Sequence, residues 1–239
     1  MQRLKEKAQL IGVDLSEEQL KQFSVYYEML VETNKVMNLT AITEINDVIT
    51  KHFLDSIALV SVYSEIATEE EMAILDLGTG AGFPGIPLKI AFPHLQITLM
   101  DSLNKRVKFL QSVIDTLGLK GIKAIHGRAE EMARKAEYRE SFDLCVSRAV
   151  ANMSTLSEYC LPFVKVGGKF IPYKASEVEE EVEASHKAIQ VLGGKLIDVK
   201  KMQLPESDIE RSFVIIDKVK GTPKTYPRKA GTASKEPIR

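Results

Sequence analysis

The sequence predicts an α/β protein: a doubly wound, mostly parallel sheet of seven strands behind a helical N-terminal cap. Three observations predict it. From Ala73 onward, short apolar runs alternate with helix-patterned segments, as in a parallel sheet covered on both faces. The first run, AILDL (Ala73–Leu77), enters a turn with glycines at alternate positions, Gly78, Gly80 and Gly82. The last two strand-like runs follow one another without a helix between them, which predicts an antiparallel hairpin at the sheet's end.

The cap comes first. Ser16 has the position of an N-cap, with Gln19 three residues on and Leu15 and Leu20 placed as a hydrophobic staple. Leu20, Phe23, Tyr27, Leu30 and Val31 then continue at helical spacing. A polar break at NKVMNLTAIT precedes a second helix near Asp47 to Ser64, with Val48, Phe53, Ile57 and Val60 apolar. Beyond AILDL the strand candidates are QITLMD, IKAIH, FDLCVS, GKFIPY, KLIDVKKMQL and RSFVIIDKV. Helices are expected over 86–92, 105–117, 129–136, 154–164 and 177–192, with Gly118 and the Gly193–Gly194 pair as stops. These elements divide into a cap over 1–68, a core over 69–219 and a tail over 220–239.

Composition bounds the class. Of 239 residues, 44% are hydrophobic, enough for an ordinary core. No apolar run approaches the roughly 18 residues of a membrane span, and MQRLKEKAQL lacks the apolar stretch of a secretory signal, so a cytoplasmic protein without a membrane partner is expected. Cys145 and Cys160 sit in apolar segments without metal-like spacing, so buried thiols and no metal are expected. The net charge is −1, unevenly spread: from Lys218 onward there are seven Lys or Arg against one Glu, leaving 25 basic and 32 acidic residues elsewhere. That tail has three prolines and few apolar residues, so a flexible basic arm is expected, either solubilising or in contact with a polyanion.

The glycine turn suggests a nucleotide-like ligand. Gly80, Gly82 and Gly85 satisfy the dinucleotide pattern G-x-G-x-x-G, with Asp101 about 20 residues further on. Three features oppose NAD. Asp76, two positions before the first glycine, repels a pyrophosphate and attracts an ammonium. Pro84 and Pro87 remove N–H donors where a phosphate would be held. There is also no second domain to accept hydride. S-adenosylmethionine has no phosphate and fits better: glycines permit close backbone approach, Asp76 faces the positive end, Asp101 accepts the ribose hydroxyls, and GRAEE brackets the adenine. The arrangement predicts a class I (Rossmann-like) methyltransferase core.

Chemistry narrows the acceptor atom. The segment after the fourth strand, SRAVAN, lacks the Asn/Asp-Pro-Pro-aromatic pattern of exocyclic amine methylation. Neither cysteine suits the nucleophile of pyrimidine carbon methylation. Ring nitrogens and oxygens remain. Guanine N7 carries a lone pair and no proton, so its attack needs alignment and water exclusion but no general base. The scattered histidines, His52, His94, His126 and His186, are read as structural.

The motifs NKVMNLTAIT, KHFLDS, LDLGTGAGFPGIPL, DSLNKRVKFL, GRAEE, SRAVA and ERSFVII resemble, in order, the glucose-inhibited division protein B family, bacterial small-subunit ribosomal RNA guanine-N7 methyltransferases. The resemblance covers essentially the whole chain. It implies that Gly78, Phe83, Ala129, Glu130 and Arg148 touch the cofactor or border its pocket; Ser102 is grouped with Asp101. Arg128, Arg148 and Arg211 are implied RNA contacts, and Lys174 is grouped with them. Asn38, His52 and Asp55 also match: Asn38 is kept as a substrate candidate, although the cluster is weighted towards a structural role. The implied partner is small-subunit ribosomal RNA or the ribosomal particle, acted on by a monomer. A small-molecule methyltransferase and a non-catalytic RNA-binding or assembly module remain the alternatives.

Overall fold

A computed structural model describes residues 1–68 and 70–239. By packing, the described chain falls into two units, each assembled from separate stretches. One comprises 1–71, 79–126 and 203–209; the other comprises 72–78, 127–202 and 210–239.

In the first unit, α1 (Gln2–Gln9) and α2 (Glu17–Met37) lead. The capping box at Ser16 is present, and Gln19 does more than close it. Its Nε2 donates to Ile90 O at 2.7 Å and Ala91 O at 3.1 Å, covering carbonyls that end a later helix. α2 buries Leu20, Phe23, Tyr26 and Leu30. Tyr26, not the expected Tyr27, is the core residue, because spacings of three, three and four keep one face inward; Tyr27 sends its hydroxyl to Thr43 O.

The expected second helix is broken into pieces. It runs as α3 (Ile45–Val48), a π-helical stretch Ile49–Leu54, α4 (Asp55–Ile57) and 3-10 turns at Ala58–Ser61 and Ser64–Ala67. The π stretch widens the turn, and Phe53 and Leu54 are both fully buried there. α5 (Gly85–Ala91), β2 (Gln96–Asp101), α6 (Asn104–Leu117) and β3 (Ile122–His126) complete the unit. β2 and β3 run parallel, with Asp101 in register with His126. Gly118 ends α6 in the left-handed conformation, as expected.

The second unit holds β1 (Ala73–Leu77), α7 (Ala129–Met132), β4 (Phe142–Arg148), α8 (Met153–Cys160), β5 (Val164–Lys174), α9 (Glu179–Val191), β6 (Gly194–Gln203), β7 (Glu210–Lys218) and α10 (Thr232–Lys235). β1 pairs parallel with β4, β4 parallel with β5, and β5 antiparallel with β7. Among the described residues the sheet has seven strands in the order β3-β2-β1-β4-β5-β7-β6. The antiparallel ending is therefore made by β7 inserting between β5 and β6. No helix of the described residues is long and apolar enough to cross a membrane.

The C-terminal segment differs from the flexible arm expected. Thr222 N–H donates to Glu140 Oε1 at 2.6 Å, and Arg139 donates to Thr222 O at 2.8 Å. Arg228 grips Glu158 through its backbone N–H, Nε and Nη2. Two of the tail's cations are thereby consumed internally. Besides Arg228, Lys218 is fully buried, with its ammonium on Leu161 O, Val164 O and Thr222 Oγ1. Composition shows apolar deficit; it does not show that buried carboxylates elsewhere await these cations.

Candidate functional site

The glycine turn follows β1. Gly78, Gly80 and Gly82 all have positive φ, at 71°, 62° and 106°, which explains glycine at each position. The turn is anchored from several sides. Thr79 N–H bonds Met100 O, Gly82 and Phe83 N–H both bond Thr79 O, and the buried Tyr26 hydroxyl donates to Ala81 O at 2.6 Å. A Cβ on Gly82 would come within 2.5 Å of Ile86 and 2.7 Å of the Tyr26 hydroxyl, whereas one on Gly80 would meet nothing within 4 Å. Gly80 therefore leaves open space at the tip of the turn, while Gly82 is locked in packing.

Asp101, at the end of β2, is almost fully buried. Its Oδ2 accepts from Gly80 N–H at 3.0 Å and its Oδ1 from Leu103 N–H at 2.8 Å. Arg106 Nη1 stands 3.5 Å from Oδ2. Oδ1 keeps a second lone pair beyond its bond from Leu103 N–H and can accept a hydroxyl, and a second hydroxyl on Oδ2 would take the place of the long Arg106 contact. The neighbouring Ser102 is exposed and offers its carbonyl to His126 Nε2 at 3.1 Å.

Phe83 does not present an open aromatic face. It stacks on His52 with centroids 4.4 Å apart and also packs against Tyr26 and Phe53. His52 in turn meets Thr40 Oγ1 at 2.8 Å and Lys51 O at 3.1 Å. The matching residues His52 and Asp55 are thus packed within the helical segment, Asp55 with no exposure. Asn38 is exposed, at the left-handed C-cap of α2 with φ 48°. An aromatic cluster behind the glycine turn was not legible in sequence, since its members are spread from Tyr26 through His52 and Phe53 to Phe83.

In the second unit, Asp76 is fully buried on β1, in register with Val146 of β4. Gly78 needs its missing Cβ, which would lie 2.5 Å from Val150. Glu130, in the first turn of α7, is 7% exposed and accepts the Gly231 N–H at 2.9 Å; Ala129 beside it is half-buried. Burial, and next the Glu130 carboxylate, push the Tyr159 phenol up. Arg148 ends β4 half-buried, and Ala149 after it takes a left-handed φ of 58°, an uncommon conformation for a residue with a side chain.

Of the RNA candidates, Arg128 is exposed as the N-cap residue of α7, and Arg211 is half-buried on β7. Lys174 departs from expectation. Its ammonium is spent on Ala151 O at 2.8 Å and Glu181 Oε1 at 2.6 Å, so it braces the segment after β4 instead of offering a charge to RNA. Glu181 also accepts from Met153 N–H, completing that brace.

The start of α5 is a poor phosphate cradle: Pro84 precedes it, Pro87 has no N–H, and Ile86 N–H is spent on Gly82 O. Within the first unit, the buried Asp101 carboxylate lies beside the open space at Gly80; within the second, the Asp76 and Glu130 carboxylates are buried. Cys145 and Cys160 are fully buried, and burial pushes the Cys145 thiol well up, against a role as thiolate nucleophile. No group of three or more metal-ligating side chains occurs among the described residues.

The strand order, with a glycine turn after β1 and an acid ending β2, defines the class I methyltransferase fold. The chain belongs to the GidB family, described as rRNA small subunit methyltransferase G, whose model matches residues 19–212. It is 56% identical over 228 residues to ribosomal RNA small subunit methyltransferase G of Lachnoclostridium phytofermentans, covering 95% of this chain and 93% of that one. A relative of the same name from Alkaliphilus metalliredigens is 51% identical, over 99% and 98% of the two chains. Among solved structures, a SAM-dependent methyltransferase from Aquifex aeolicus superposes with a TM-score of 0.52 at 17% identity, over 72% of this chain and 93% of that one, a likeness of fold.

Proposed function

We propose that this protein transfers a methyl group from S-adenosylmethionine to N7 of a guanine in small-subunit (16S) ribosomal RNA. The observation that carries the reading is the family match across residues 19–212, which takes in every residue proposed here to hold the donor. Asp76 faces the donor's amino end, Asp101 accepts the ribose hydroxyls, and Ala129 and Glu130 border the adenine. Gly78, Gly80 and Gly82 let the backbone approach, and Phe83, Ser102 and Arg148 flank the pocket. Bound there, the donor supplies an electrophilic methyl carbon on a cationic sulfur.

The chain's own residues do the positioning. The turn held by Tyr26 and Thr79 sets the donor's depth, and the Lys174–Glu181 brace sets the segment after β4 that the target purine must pass. Held in line by these residues, guanine N7 would take the methyl group while the sulfur kept the electron pair of the broken carbon–sulfur bond. No proton moves, so no base is required. Each histidine has a local contact: His52 with Thr40, His94 with Ile66 O, His126 with Ser102 O and His186 with Glu183.

Residues 1–68 serve as a cap, 69–219 as the catalytic core and the segment from 220 as an accessory. Arg128, Arg148 and Arg211 guide RNA, with Asn38 at the periphery. The protein acts as a monomer in the cytoplasm, on RNA or the assembling particle. The test is to incubate it with radiolabelled donor and small subunits from cells lacking it, then map the modified base. Label in a single 7-methylguanine supports the reading. Label elsewhere, or only in free metabolites, overturns it.

A further inference from the structure

The C-terminal segment lies beyond the family-matched region, which ends at 212, yet it is tied to the interior of the second unit by buried polar groups. Arg228 makes a forked contact with Glu158, whose side chain is 1% exposed, with Nη2 to Oε2 at 2.7 Å and Nε to Oε1 at 3.1 Å. Thr155 Oγ1 donates to Ala233 O at 2.9 Å, and Ala233 is buried. Between these two anchors, Gly231 adopts φ +81° and presents its N–H to Glu130 Oε1 at 2.9 Å. A forked Arg–carboxylate contact fixes orientation as well as distance, and the second anchor fixes the other side. The Gly231 N–H is therefore held in place from both sides, with Arg228 Nη2 also donating to Glu236 O at 2.8 Å.

We infer that this strap is a positioning element of the methyl-donor site: its Gly231 N–H fixes the Glu130 carboxylate so that Oε2 is aimed to accept from the 6-amino group of the donor's adenine. The inference rests on the reading of Glu130 given above. A glutamate has three rotatable torsions, and fixing it beforehand removes an ordering cost that would otherwise fall on ligand binding. One oxygen takes the strap's N–H, and the other remains for a ligand N–H. Adenine carries such a donor; hypoxanthine has a carbonyl in its place, which a carboxylate oxygen repels.

The experiment compares S-adenosylhomocysteine with S-inosylhomocysteine by calorimetry on three proteins: the full chain, the chain shortened after Lys224, and Arg228→Ala/Glu158→Ala. The double variant releases the strap without leaving a buried carboxylate uncompensated. Circular dichroism and melting temperature check the fold of each. The full chain should prefer the adenosyl ligand by about ten-fold or more. In both altered proteins the preference should shrink to within about two-fold, through weaker adenosyl binding with inosyl binding unchanged, and in turnover the donor KM should rise while kcat holds. Equal loss for both ligands would mean that the strap serves only folding, and retained preference would mean that it does not act on Glu130; either overturns the inference. A full chain that binds the adenosyl ligand without preference overturns it through Glu130, and one that binds neither ligand overturns the donor reading itself.

Discussion

Gly80 N–H lies 3.0 Å from Asp101 Oδ2, so the tip of the glycine turn and the end of β2 share one carboxylate. Asp101→Asn removes the charge while keeping an oxygen for Leu103 N–H. Loss of charge-assisted bonds to the ribose and to Gly80 should weaken donor binding by about 10- to 100-fold. Titration of S-adenosylmethionine followed by melting temperature checks this, since a ligand that binds only the folded state raises it. An unchanged ligand-induced shift would remove Asp101 from the site.

The two inner glycines should separate stability from binding. Gly82→Ala forces a Cβ against Ile86 and Tyr26 at a left-handed φ, so it should cost about 3 kcal/mol or more. Gly80→Ala carries backbone strain alone and should cost about 1–2 kcal/mol, with its methyl intruding on open space where the donor is proposed to lie. Urea unfolding and donor affinity, measured on both variants, should rank them in opposite orders. The same ranking by both measurements would contradict the division of labour.

Lys218 offers a pH signature. Burial lowers its pKa from 10.5 to about 8, opposed by the nearby Glu140 carboxylate. Between pH 8 and 10.5 the unfolded chain therefore binds a proton that the folded chain has released, and the lysine's contribution to stability rises with pH across that window. Below pH 8 both states are protonated, and above 10.5 neither is. Lys218→Met should lack this rise, so the wild-type advantage should widen from pH 8 to 10.5 in urea titrations. Parallel profiles would show that the folded lysine titrates normally.

The thiols should be silent. With Cys145 and Cys160 fully buried and the Cys145 thiol pushed up, alkylation of the native protein should run at least about 100-fold slower than in denaturant. Rapid native labelling of either residue would reopen the carbon-methylation chemistry set aside above.

If the strap also meets RNA, it does so through its exposed cations Lys224, Lys229 and Lys235. Changing these three to Gln should reduce the salt slope of RNA binding by up to about two, without disturbing Arg228 or Thr222. Deleting from Thr222 onward would strip Lys218 of a buried partner and confound the measurement. An unaltered slope would assign the strap to the donor side alone.

The strands were legible because period and punctuation agree there: AILDL, QITLMD and IKAIH are bounded by glycines and by polar or proline-containing turns, and their observed limits coincide with those runs. The placement of Asp101 at a strand end and Glu130 in a first helical turn followed from the same signals. What was hidden depends on partners remote in sequence. Nothing near Lys174 tells that Ala151 O and Glu181 will claim its charge, and nothing in the proline-rich tail tells that Glu158 and Glu130 wait for it. The π-helical turn around His52 was equally silent, because apolar spacing in a widened turn still passes for an ordinary helix.

Lys7 on α1 is fully buried, and its ammonium ends on Pro205 O at 2.8 Å and Glu206 O at 2.9 Å, in the connection between β6 and β7. During synthesis, then, the helix emerges with that ammonium in water, and it can be buried on its carbonyls only once residue 206 has left the exit tunnel. Vectorial folding from the amino end cannot finish the first unit. Its completion waits on carbonyls 198 and 199 residues further along the chain.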